Sequence, residues 1–139
     1  MIRLAAALLL LAAPAVAQPG VVDVTVTGVR NAKGHVLVAV CDRATFLAPT
    51  CAYRGRAAAA AGAVMVRVTG VPPGTYAAEA YHDENDNARL DRSWLGFPEE
   101  GLGFSRDAPM RFGPPGFADA AFAVAREGAS ISFGLRYFD

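Results

Sequence analysis

Oxygen-bearing side chains recur at alternate positions just after His82, in the run Asp83-Glu84-Asn85-Asp86-Asn87-Ala88-Arg89-Leu90-Asp91. A hard cation such as calcium takes about six to eight oxygens at short range. A tight loop supplies them when alternate side chains turn to one side and a main-chain carbonyl joins them. Counting Asp83 as first, Asn85 and Asn87 stand third and fifth, Arg89 offers its carbonyl at the seventh, and Asp91 acts at the ninth, through water. Two positions depart from the EF-hand pattern: the sixth is Ala88 instead of glycine, and the twelfth is Trp94 instead of a bidentate glutamate. Glu100, or its neighbour Glu99, would bring the missing carboxylate from the next loop. With so few carboxylates the expected affinity is weak, with a dissociation constant of ~10⁻⁴ to 10⁻³ M. The competing reading is a polar turn, because Asp and Asn are ordinary turn residues. Zinc is not expected, since His82 beside Asp83 is one imidazole and His35 belongs to a different hairpin.

Downstream of the acidic run, residues 94–105 are rich in aromatics and glycine. Trp94, Phe97 and Phe104 form a ligand-binding lip in one reading and the internal anchors of a long loop in the other. Catalytic signatures are missing from the sequence. Its serines lie in no Gly-x-Ser-x-Gly elbow, and it carries neither a phosphate-cradling glycine loop nor His-Glu-x-x-His. A small secreted hydrolase or carbohydrate-active enzyme built on the acidic loop and the Trp94 to Phe104 lip is the alternative to a non-enzymatic binding module, and adjacent Glu99 and Glu100 alone do not separate an acid from a base.

The compartment follows from the first residues. Arg3, the apolar run Leu4 to Ala13 and the small-residue site Ala15-Val16-Ala17 predict a signal peptide over residues 1–17 and a mature chain from Gln18, hence a periplasmic or secreted protein. The apolar stretch is shorter than the ~20 residues a bilayer span needs, and no later segment reaches that length. Removing residues 1–17 leaves 122 of the 139 residues, with 12 basic and 13 acidic side chains. So balanced a charge steers the protein toward neither nucleic acid nor anionic membrane. The partner expected is an unidentified envelope or extracellular one, and oligomeric state is not legible. Cys41 and Cys51 are the two cysteines, and in an oxidising compartment they are expected to pair.

What positions these groups is a set of strands. Val22, Val24 and Val26 alternate with Asp23, Thr25 and Thr27, the period of a half-buried strand. Val36, Val38 and Val40 recur at every second position up to Cys41, and Val64, Val66 and Val68 do so with Arg67 and Thr69 on the opposite face. Further strands are expected at Thr75 to His82, Phe117 to Val124 and Ser130 to Phe138, the last with Ile131, Phe133, Leu135 and Tyr137 inward. Arg30-Asn31-Ala32-Lys33-Gly34, Val71-Pro72-Pro73-Gly74 and Arg126-Glu127-Gly128 read as turns. The stretch Asp42 to Gly62 reads as irregular, with Ala57 to Ala61 either a helical turn or a connector. About seven short strands without an amphipathic helix predict one all-β domain over residues 18–139. Its architecture would be an antiparallel β-sandwich, immunoglobulin-like or prealbumin-like.

The blocks Gly34-x-Val36-x-Val38, Pro73-Gly74-Thr75-Tyr76, His82-Asp83-Glu84-Asn85-x-Asn87, Leu95-Gly96-x-Pro98-x-Glu100-Gly101-x-Gly103-Phe104-Ser105 and Phe117-x-Asp119-Ala120 together resemble a family of exported bacterial proteins catalogued as domain of unknown function 2141. That family usually has glycine where Ala88 or Asp86 stands. The resemblance implies export and a β-sandwich, and it implies no reaction. The Pro-Gly-Thr-Tyr turn is also similar to that of transthyretin-like and carboxypeptidase-regulatory-like sandwiches, which by analogy implies an accessory or binding module.

Overall fold

A computed structural model describes residues 19–90 and 98–138. Eight strands run through them: β1 (Val22–Val29), β2 (His35–Cys41), β3 (Tyr53–Ala58), β4 (Gly62–Val68), β5 (Gly74–Asp83), β6 (Leu102–Phe104), β7 (Ala121–Val124) and β8 (Ala129–Gly134). Among the described residues, helix is limited to a 3₁₀ turn at Ser105–Asp107 and one α-turn, α1 (Phe117–Ala120). β4, β1 and β8 make one sheet in that order. β3, β2, β5 and β6 make the other, and β7 also pairs with β5. Pairings are antiparallel except β1 with β8, which run parallel.

The valine alternation explains the layering. Val22, Val24 and Val26 of β1 and Val64, Val66 and Val68 of β4 turn inward from one sheet, against Val36, Val38 and Val40 from the other. Each such side chain contributes roughly 1.5–3 kcal/mol relative to leaving it in water. The long strand β5 adds Tyr76, Ala78 and Ala80 to this core and keeps small residues where the sheets approach. At one edge the two layers are tied together: Leu102 and Arg136 exchange both backbone hydrogen bonds, each 2.9 Å. Gly103 permits this, since a Cβ there would lie 2.1 Å from the Gly134 carbonyl oxygen.

A second apolar cluster forms on the outer face of the five-stranded sheet, where Ala77, Leu102, Phe104, Ala108 and Ala120 pack with Phe46 and Phe117. The loop Asp42 to Thr50 reaches this cluster through Phe46, whose ring meets Phe104 and Phe117 edge-on. A disulfide between Cys41 and Cys51 closes that loop, as their number and expected compartment suggest.

Three expectations need correction. The stretch Asp42 to Gly62 is not wholly irregular, because β3 lies within it. Ala57 and Ala58 are strand residues opposite Val36 and His35, not a helical turn. Phe117 to Val124 is not one strand but a turn of helix followed by β7. Ser130 to Phe138 ends as a strand at Gly134, yet Phe133 and Leu135 of its inward row are buried as expected.

Candidate functional site

β5 ends at Asp83, and its final turn of chain is built on that carboxylate. Asp83 is 2% exposed. Its Oδ1 accepts the Asn87 amide at 3.2 Å and its Oδ2 the Ala88 amide at 2.8 Å. Asn85 Oδ1 accepts the Asn87 amide at 3.3 Å, and Asn87 Oδ1 accepts the Arg89 amide at 3.0 Å. Alternate side chains thus fold back over the backbone of the loop they belong to. The winding needs left-handed backbone at the fourth and sixth positions, Asp86 (φ 55°) and Ala88 (φ 58°). The sixth is where calcium loops use glycine for their sharp turn. An alanine there bears a Cβ penalty of roughly 1–2 kcal/mol. Ala88→Gly is therefore expected to raise stability by about 0.5–1 kcal/mol, once the greater flexibility of glycine in the unfolded chain is offset. Urea titration of the two chains checks it.

Strand register brings two further groups to the loop. His35 lies opposite Asp83 in the β2–β5 ladder, and its Nδ1 sits 2.6 Å from Asp86 Oδ1. No local motif joins His35 to the acidic run; the β2–β5 register places it there. On the other side of β5, Tyr81 pairs with Leu102, and the His82 amide donates to the Gly101 carbonyl at 2.9 Å. Continuing that register by one more residue sets Glu100, 5% exposed, across from Asp83. Tyr81 senses both: burial first, then the Asp83 and Glu100 charges, push its phenol up to about 12. Glu84 points elsewhere, to Arg30 Nε at 2.6 Å. Burial pushes its carboxyl up, but hydrogen bonds from Arg30 and Asn31 and the charge of Arg30 outweigh that and hold it below the ordinary glutamate value.

His82 is the fully buried post beneath the loop. Its Nε2 donates to the Lys33 carbonyl at 2.7 Å, a group that can only accept, so Nδ1 is left to accept from the Tyr137 hydroxyl at 2.9 Å. That hydroxyl in turn accepts the Arg30 amide at 3.0 Å. One imidazole therefore joins the β1–β2 turn, β5 and the chain's last residues. His82→Phe fills the space but strands the Lys33 carbonyl and breaks the relay. A loss of about 2 kcal/mol is expected in denaturant unfolding, since a buried group left without its hydrogen bond costs about 1–3 kcal/mol.

Among the described residues, no three His, Cys, Asp or Glu side chains converge to hold a metal. Of the loop's described carboxylates, Asp83 accepts the loop's own amides, while Glu84 pairs with Arg30 and Asp86 with His35. Phe104 is 1% exposed and packs in the second cluster. Asp91, Trp94 and Phe97 lie outside the described residues. No described helix is long and apolar enough to cross a membrane.

No curated protein and no solved structure matches the chain. A bacterial family, described as an uncharacterized protein conserved in bacteria, matches residues 24–132, from β1 into β8. With most of the sandwich and the whole acidic loop inside that match, the chain belongs to the family of domain of unknown function 2141.

Proposed function

We propose that this chain is an exported, non-enzymatic β-sandwich, periplasmic or secreted, that acts as a binding or envelope-associated module and holds its acidic loop with calcium. The observation that carries the reading is the winding of Asp83 to Ala88 around the buried Asp83 carboxylate, with left-handed backbone at the sixth position. The donor set fits a hard cation. Asp83 brings a carboxylate, and Asn85 and Asn87 bring amide oxygens, hard donors of the kind a calcium ion takes. Those three side chains, the Arg89 carbonyl, Asp91 and Glu100 would hold it. Bound there, calcium offsets the repulsion between carboxylates facing each other across a strand pair.

The Cys41–Cys51 disulfide supports export, because such bonds persist in oxidising compartments. No observation favours the hydrolase alternative. Calorimetric titration of protein recovered from the periplasm, with Gln18 as its first residue, tests the reading. Saturable calcium binding with a dissociation constant of ~10⁻⁴ to 10⁻³ M is expected. Asp83→Ala should abolish it. The absence of calcium heat in the native chain would refute the clamp.

A further inference from the structure

A cavity of about 440 Å³ opens on the outer face of the five-stranded sheet. That size lies in the usual range for small-molecule sites. Three neighbouring strands build its floor in one cross-strand row, because Ala39 of β2 stands opposite Arg54 of β3 on one side and Glu79 of β5 on the other. Two strand spacings of ~4.8 Å separate the flanking residues, with the smallest possible side chain short of glycine between them. Leu37 and Tyr81 form the next row and keep the floor apolar, with one hydroxyl.

The ends of the row carry opposite charges. The Arg54 guanidinium is held by the wall beside it: Nε donates to the Cys51 carbonyl at 2.9 Å and Nη2 to the Pro49 carbonyl at 3.1 Å. Two of its five N–H groups are so used, leaving three to face a ligand at fixed position. Glu79 at the other end has a carboxylate with about four acceptor sites, enough for an incoming ammonium alongside a neighbour. The disulfide-closed loop forms one wall and Ala88 to Leu90 of the acidic loop the other.

We propose that this cavity binds a di- or tripeptide with free termini and apolar side chains, its carboxylate on Arg54 and its ammonium toward Glu79. Three extended residues span roughly 10 Å, the distance between the two flanking strands across the row. This gives the binding module a ligand class. It rests on that reading and not on calcium.

The probes are Ala-Leu and Ala-Leu-Ala with their N-acetylated and C-amidated forms, titrated into the chain by calorimetry in 1 mM calcium and in chelator. For a ligand of this size the expected dissociation constant is about 1 mM. Either cap should weaken binding about tenfold or more, the usual worth of a hydrogen bond to a charged group. The informative result is crossed. Arg54→Gln should erase the difference between the free and amidated C-terminus and keep that at the N-terminus, and Glu79→Gln should do the reverse. Arg67→Gln on the other sheet should leave both differences intact. Equal binding of capped and free peptides, or none by the native chain at 10 mM in either buffer, overturns the proposal. Peptide binding that persists in chelator while calcium gives no heat upholds the cavity and refutes the clamp alone.

Discussion

Gly34→Ala is expected to destabilise the chain by about 3 kcal/mol or more, although it adds a single methyl at a turn. Gly34 has φ 65°, a region where an L side chain loses roughly 1–2 kcal/mol. The larger effect is contact. A Cβ built there lies 1.9 Å from the Asp83 carbonyl oxygen and 2.9 Å from its carbon. Those atoms are backbone at the end of β5, so nothing flexible can swing aside, and overpacking of this kind costs about 1–3 kcal/mol. To make room, the β1–β2 turn must lift from Asp83, and that movement also pulls on the Lys33 carbonyl that His82 holds. Urea unfolding of the variant should show a lower midpoint with an unchanged slope. A change under 1 kcal/mol would mean the turn does not press on β5 as described.

Opening the Cys41–Cys51 bond has the second large effect. In the chain-entropy account, a bond with a sequence separation of 10 stabilises by about 3 kcal/mol. Here the closed loop also carries Phe46, which packs edge-on against Phe104 and Phe117 in the second cluster. Freeing the loop therefore loosens the outer face of the five-stranded sheet as well as enlarging the unfolded ensemble. The double replacement Cys41→Ser with Cys51→Ser should unfold about 3–4 kcal/mol more easily, and reductant should bring the native chain to a similar midpoint. The main core, built from valines on both sheets, remains intact below that midpoint, so the far-ultraviolet signal before unfolding should not change.

Much of the sandwich was legible because valine recurs at every second position of its core strands, and a period of two leaves little choice of inward face. β1, β2 and β4 are read directly from that pattern. β3 was not, since Tyr53-Arg-Gly-Arg-Ala-Ala has few residues that favour strands, and its backbone is held by pairing with β2. Gly55 allows β3 to pass close to β4, where a Cβ would lie 2.6 Å from the Arg67 carbonyl oxygen. β6 is three residues long, shorter than any periodicity can mark, and exists because β5 on one side and Arg136 on the other bond its backbone.

The candidate site divides the same way. Asp83, Asn85 and Asn87 are local, and their spacing announces a turn built on side-chain oxygens. Their neighbours Glu100 and His35 arrive through strand register, which is decided by the whole sheet and has no local signature. Ala88 and Asp86 show the converse: both adopt a glycine-like, left-handed backbone without being glycine.

Thermal unfolding of residues 18–139 in 1 mM calcium and in chelator bears most directly on the clamp. With a dissociation constant of ~0.1 mM, mass action adds about 1.4 kcal/mol and raises the midpoint by a few degrees. The same comparison on Asp83→Ala should give no shift. Coincident midpoints for the native chain in the two buffers would contradict the account and leave Asp83 to Asp91 as a turn held by its own hydrogen bonds.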